Sequence, residues 1–137
     1  MRRPRRIAAR SRGTKPTPDT VPTPNNLPIS NGVNGKGNGT FAAAVNYALG
    51  NSVAVSVTIS DFNSDGILDL AVANIQNVSI LLGSGVNGQG NGTFAAAVSY
   101  PLGSAPWFVT TGDLNADGVR DLAVTVDNGM TILLGRI

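Results

Sequence analysis

The chain of 137 residues contains no cysteine, no histidine and no glutamate. Without cysteine there is no disulfide framework and no thiolate metal site, and without histidine the usual zinc ligand and the usual general base are missing. Aromatic residues make up only 5% of the chain, so a core built around large rings is excluded. No apolar run approaches the roughly 20 residues of a membrane-spanning helix. What is abundant is small and turn-forming: 17 glycines and 8 prolines, with many Val, Ala, Thr and Asn residues. That mixture favours short strands joined by tight turns, and the expected class is all-β.

The net charge of +2 describes neither half of the molecule. Seven of the ten basic residues (Arg2, Arg3, Arg5, Arg6, Arg10, Arg12 and Lys15) lie in the first fifteen positions. From residue 16 onward, three basic residues (Lys36, Arg120, Arg136) face eight aspartates, giving 3 − 8 = −5. The leader's apolar run, Ile7-Ala8-Ala9, is far short of the roughly 7 to 15 residues of a secretory signal core, so no signal peptide is recognisable. An Arg-rich arm suits nucleic acid or an anionic surface. No aromatic precedes Phe41 to stack on bases, however, and the arm reads instead as a solvated tail. Residues 14–28 carry five prolines and four threonines, the composition of an extended linker. Residues 1–28 are therefore expected to be a disordered basic leader followed by a Pro/Thr-rich linker.

Beyond residue 29 the chain repeats itself. Asp61-Phe-Asn63-Ser-Asp65-Gly66-Ile67-Leu-Asp69 returns as Asp113-Leu-Asn115-Ala-Asp117-Gly118-Val119-Arg-Asp121, and these two stretches hold six of the eight acidic residues. Oxygen-bearing side chains at positions 1, 3, 5 and 9, with glycine at 6 for the bend, are what a hard cation such as Ca²⁺ takes from one short loop. Asn-Ser-Asp-Gly and Asn-Ala-Asp-Gly would also make good turns without a metal. A turn alone requires no acid at position 9, and three carboxylates in nine residues repel one another unless a cation screens them. The duplication favours two Ca²⁺ sites. Arg120, inside the second loop, is a charge that would weaken that site.

Around the loops the repeat has strand character. Residues 53–60 alternate Val, Val, Val, Ile with Ala, Ser, Thr, Ser, the period of two of a half-buried strand. Residues 69–74 and 78–83 are short apolar runs, and residues 94–100 supply a fourth strand. The segment Val33-Asn-Gly-Lys-Gly-Asn-Gly-Thr-Phe41-Ala-Ala-Ala-Val45-Asn-Tyr47 recurs as Val86-Asn-Gly-Gln-Gly-Asn-Gly-Thr-Phe94-Ala-Ala-Ala-Val98-Ser-Tyr100, and Ser79-Ile-Leu-Leu-Gly83 recurs as Thr131-Ile-Leu-Leu-Gly135. The Asn-Gly steps supply the positive φ of tight turns. Four strands in a period of about fifty residues suit propeller blades.

An EF-hand would place its last carboxylate at position 12, between helices; here that position is Val72 or Val124, within strand sequence. With the acid at position 9 followed by Leu-Ala-Val, and Asn-Gly-Thr-Phe ahead of each fourth strand, residues 29–137 resemble the FG-GAP/VCBS repeats of integrin-α-type β-propellers and bacterial surface proteins. The resemblance implies Asp61, Asn63, Asp65 and Asp69 as side-chain ligands with the Ile67 carbonyl as a fifth. It likewise implies Asp113, Asn115, Asp117 and Asp121 with the Val119 carbonyl. It further implies a partial β-propeller of about two four-stranded blades: 29–50 closing a preceding blade, 51–103 the first blade and 104–137 a second, incomplete one. Extracellular or cell-surface placement, adhesion, and an unknown protein or carbohydrate ligand follow from the same resemblance. The ligand face would carry the connections at 48–52, 75–77, 102–106 and 127–129. Trp107 stands beside it and is read as packing, since Phe108 and Val109 continue it into a strand; the recurring Phe41/Phe94 and Tyr47/Tyr100 pairs are read the same way.

Every acid but two belongs to a metal loop, which leaves no acid/base pair or nucleophile constellation, so the chain is not expected to be an enzyme. A non-catalytic part of a larger extracellular enzyme and a nucleic-acid arm remain the alternatives. A segment with an incomplete blade is expected either to belong to a longer product or, if it is the whole chain, to self-associate, with 41–47 completing a neighbour's sheet.

Overall fold

The computed structural model of the chain describes residues 36–50 and 52–136; the expected leader and linker over 1–28, and the start of the repeat region at 29–35, lie outside the described residues. Nine strands and no helix are found among them. The first blade is an antiparallel sheet in the order β1-β2-β3-β6, formed by β1 (Ala54–Ser60), β2 (Asp69–Asn74), β3 (Asn77–Leu81) and β6 (Val98–Pro101). Its second strand is buried at all but one position and its third at three of five, as strands covered on both faces should be. The second blade has β7 (Pro106–Gly112), β8 (Asp121–Val126) and β9 (Gly129–Leu133) in simple order. The two sheets repeat down to their defects: the register shifts between Ala54 and Ser56 in one and between Pro106 and Phe108 in the other. The architecture is all-β and that of a partial, propeller-like pair of blades.

Between β3 and β6 the chain does more than turn. β4 (Gly83–Val86) and β5 (Gln89–Phe94) form a separate two-stranded hairpin, closed by Asn87 (φ 53°) and Gly88 (φ 73°). Two consecutive residues of positive φ make the tight turn whose twist matches antiparallel strands. Because Phe94 belongs to this hairpin, the fourth strand of the blade starts at Val98 and not at Phe94, and the third ends at Leu81, short of Gly83. The expected fourth strand over residues 41–47 is absent: those residues form no ladder. The turn ahead of it nevertheless repeats, with Thr40 N–H donating to Asn38 Oδ1 at 3.0 Å and Thr93 N–H to Asn91 Oδ1 at 2.9 Å. The local signal is the same in both copies. Only the copy with a neighbouring strand to pair with becomes a strand.

The core lies between the blades. Ala71, Ala73 and Val78 of the first blade meet Val109, Leu122 and Val124 of the second, and β7 packs against β1 and β2. The small residues of β2 let the sheets approach closely. Ser56 Oγ accepts the Val109 N–H at 3.3 Å. Farther out the sheets diverge and leave a cleft of about 770 Å³ lined by Ile80, Tyr100, Leu122, Leu133 and the two arginines Arg120 and Arg136. The aromatic pairs do not pack as their spacing suggested. Tyr47 meets Phe94 edge-to-face at 5.5 Å, its hydroxyl accepts the Phe94 N–H at 3.1 Å, and Phe41 is 96% exposed.

Candidate metal centre

Each acidic loop leaves the inner strand of its blade and enters the second: Asp61 follows β1 and Asp69 opens β2, while Asp113 follows β7 and Asp121 opens β8. The loops close through their own side chains. In loop one, Asp61 accepts the Asp65 N–H on Oδ1 at 3.2 Å and the Gly66 N–H on Oδ2 at 2.9 Å. Asn63 Oδ1 accepts the Asp65 N–H at 3.2 Å, and Asp65 Oδ1 accepts the Ile67 N–H at 2.8 Å. Loop two reproduces each bond within 0.1 Å: 3.1 and 2.9 Å on Asp113, 3.2 Å on Asn115 and 2.8 Å on Asp117. The turn requires positive φ at positions 4 and 6, met by Ser64 (60°) and Gly66 (82°) and by Ala116 (60°) and Gly118 (85°). Short Asx side chains that bond the backbone two residues on are what make such a bend.

The aspartate at position 9 stands apart from the rest. Asp69 and Asp121 are fully buried, while Asn63, Asp65, Asn115 and Asp117 face solvent. Asp69 Oδ2 accepts the Phe62 N–H at 2.8 Å and Oδ1 the Gly83 N–H at 2.7 Å. Asp121 does the same with Leu114 at 2.7 Å and Gly135 at 2.8 Å. A carboxylate at the head of the second strand thus fastens the residue after the first strand to the residue after the third. The N–H groups of Gly135 and Leu114 hold the Asp121 carboxyl below the usual carboxylate range, against the opposing effect of burial. These hydrogen bonds stabilise the charged form.

Gly83 and Gly135 are functional positions that the reading of the sequence passed over. A Cβ at Gly83 would strike the Leu68 carbonyl oxygen and Ile67 Cγ2, and one at Gly135 the Arg120 carbonyl oxygen and Val119 Cγ1. Their signal was the repeated Ile-Leu-Leu-Gly, which ends each third strand on the residue whose N–H reaches the buried aspartate. The loops also differ in cover. Gly66 lies under the β4–β5 hairpin, with Gly88 Cα 3.2 Å from where its Cβ would be, whereas nothing stands within 4 Å of that point on Gly118. Arg120 lines the cleft between the blades.

All the predicted ligands of one site sit on one loop, and likewise for the other. Among the described residues, no group of three or more acidic side chains is gathered as a ready-made cage, since the carboxylates are drawn to backbone amides. Each carboxylate oxygen held by one N–H retains acceptor capacity. The donors are oxygen only, with three negative charges per loop, and this set fits a hard divalent cation and no softer metal.

At the opposite end of the blades, Trp107 is 65% exposed and its Nε1–H donates to Asp127 Oδ1 at 2.8 Å. The expected packing role is overturned: Trp107 falls within the register shift between Pro106 and Phe108, and the ring lies on the surface. Of the strand's residues, Pro106 and Val109 are buried while Trp107 and Phe108 are exposed.

Residues 61–124 match the family model described as an FG-GAP-like repeat, from the first aspartate of loop one to Val124 in β8. No match was found among curated proteins or among solved structures. The matched stretch contains both acidic loops, β2, the hairpin and the first part of β8, and over it the chain is similar to an FG-GAP-like repeat.

Proposed function

We propose that the chain is a calcium-binding segment of a β-propeller that serves adhesion or ligand binding outside the cell, with the ion in a structural role. The observation that carries this reading is the pair of loops whose oxygen-only donors are held in the same turn to within 0.1 Å. Asp61, Asn63, Asp65 and the Ile67 carbonyl would hold one ion, and Asp113, Asn115, Asp117 and the Val119 carbonyl the other. Asp69 and Asp121 close each shell from the buried side while fastening the strands. Bound Ca²⁺ would offset the repulsion among the carboxylates.

With a Kd of roughly 10⁻⁴ M, typical of extracellular calcium modules, millimolar calcium stabilises the fold by about 1.4 kcal/mol per site. For a domain of this size that is a rise of roughly 5 to 10 °C in melting midpoint per site. Melting in calcium and then in excess chelator tests it, with bound ion counted by mass spectrometry under native conditions. An unchanged midpoint and no bound ion would overturn the proposal. For ligand contact, the exposed Trp107 with Ile75 and Asp127 at the end away from the loops offers an aromatic face beside a carboxylate, suited to a sugar or a protein side chain.

A further inference from the structure

We propose that the two exposed blade faces described in this chain are the halves of one interface, and that a second copy of the chain occupies it head to tail, supplying residues 41–48 as a fourth strand beside β9.

The contact already made inside the chain sets the pattern. The first blade presents Ala71, Ala73 and Val78, and the second presents Val109, Leu122 and Val124. On the two other faces the repeat places Ala123, Thr125 and Met130 as the equivalents of Ala71, Ala73 and Val78, and Val57, Leu70 and Val72 as those of Val109, Leu122 and Val124. Val78 is fully buried and Met130 is 63% exposed; Val109 is 1% exposed and Val57 56%. Ile59 beside Val57, and Phe108 and Ile132 near Met130, are exposed too. Each copy thus carries one face of each kind, which is the requirement for a heterologous, head-to-tail contact.

A second, independent observation leads to the same arrangement. β3 pairs with β6 through Ile80↔Val98, Ser79↔Ser99, Val78↔Tyr100 and Asn77↔Pro101. β9, the equivalent of β3, pairs with β8 alone among the described residues. Residues 41–47 repeat 94–100 with one difference, Asn46 for Ser99. They begin from the same Asn-Gly-Thr turn yet form no ladder, and Phe41 and Val45 are exposed. Copying the register sets Val45 opposite Ile132, Asn46 opposite Thr131, Tyr47 opposite Met130 and Ala48 opposite Gly129. Segment 94–101 lies immediately ahead of the second blade, and 41–48 lies immediately ahead of the first. The copy that lends its strand to β9 is therefore the same copy whose first blade covers Met130. One partner satisfies both the edge and the face, adding ladder hydrogen bonds to apolar burial.

The absence of cysteine makes the test clean. The single variants Val45→Cys and Ile132→Cys, mixed and oxidised, should give a disulfide joining one chain of each kind, because directly opposed residues stand about 5 Å apart at Cβ. The unmodified chain should sediment at a multiple of its 14.0 kDa mass. Val57→Asp and Met130→Asp should each return it to the single-chain mass with an unchanged circular dichroism spectrum, while Val86→Asp in the hairpin should leave the assembly intact. A single-chain mass for the unmodified protein overturns the proposal, as does an assembly that survives both face substitutions or a disulfide that forms only when one chain carries both cysteines. Two face variants are used so that a folding failure in one leaves the other to decide. The calcium reading is read separately, from bound ion, and does not depend on the mass.

Discussion

Asp69 and Asp121 do more than their place as ninth residue of a metal loop suggests. Asp69 is buried and each of its oxygens holds a backbone N–H, so Asp69→Ala should cost about 3 kcal/mol in chemical denaturation even in excess chelator, from the loss of two hydrogen bonds to a charged group. Asp65→Ala, at an exposed loop position, should cost little in chelator and remove the calcium increment at that site. The contrast separates the fastening role from ion binding. For Asp121 the pH direction follows from its lowered folded pKa. A depressed carboxylate pKa adds stability above the unfolded value of about 3.9, and that increment disappears as the pH falls through the folded value. Acid titration of stability in chelator should therefore show a loss below about pH 4 that is weakened in Asp121→Asn. Gly83→Ala belongs at this scale as well: with no room for a Cβ against the Leu68 carbonyl, it should lower the melting midpoint, whereas Gly92→Ala, in open space at positive φ, should cost only about 1 kcal/mol.

At the scale of elements, the blades repeat in register and even in their bulges, but the hairpin covers only loop one among the described residues. Its Asn87-Gly88 turn lies against Gly66, and Ile67 is buried where Val119 is half-buried. A loop held on both sides loses less freedom when it binds an ion. Loop one should therefore bind Ca²⁺ more tightly than loop two. Titrating Asp117→Ala, which leaves loop one, against Asp65→Ala, which leaves loop two, checks this by calorimetry; equal affinities would show that the hairpin does not rigidify the site. The hairpin was legible in its Asn-Gly turn but was expected as a plain connection. Residues 83–94 carry five glycines and only two large apolar residues, Val86 and Phe94, too few for a periodic strand signal, and pairing across the turn supplies the order.

For the whole molecule, stability rests on the contact between blades. Val109→Ala, at the centre of that contact, should cost about 2 kcal/mol through the cavity it leaves. Val57→Ala, the equivalent exposed position, should stay within about 0.5 kcal/mol for the single chain. Denaturant midpoints of the two variants, taken where the single-chain species dominates, decide between this interface and a core confined within each sheet. No helix among the described residues is long and apolar enough to cross a membrane.

The sequence by itself determined the first three strands of each blade, the two loops and the period. Each is a local property, set by alternation of side chains, by Asx and Gly turn chemistry, and by repetition of the same residues at a fixed spacing. Tertiary structure alone decided which copy of Phe-Ala-Ala-Ala-Val becomes a strand, which Val of an equivalent pair is buried and which residues fasten a blade. Residues 41–47 and 94–100 are almost the same string, yet only the second has β3 beside it to take its hydrogen bonds. Val57 and Val109 are the same residue in the same register, and only Val109 has another blade against it. Trp107 came out on the surface for the same reason, since a bulge at its strand's start turns it away from the neighbouring sheet. Burial and pairing depend on what stands opposite, and that is supplied by the arrangement of the blades in space.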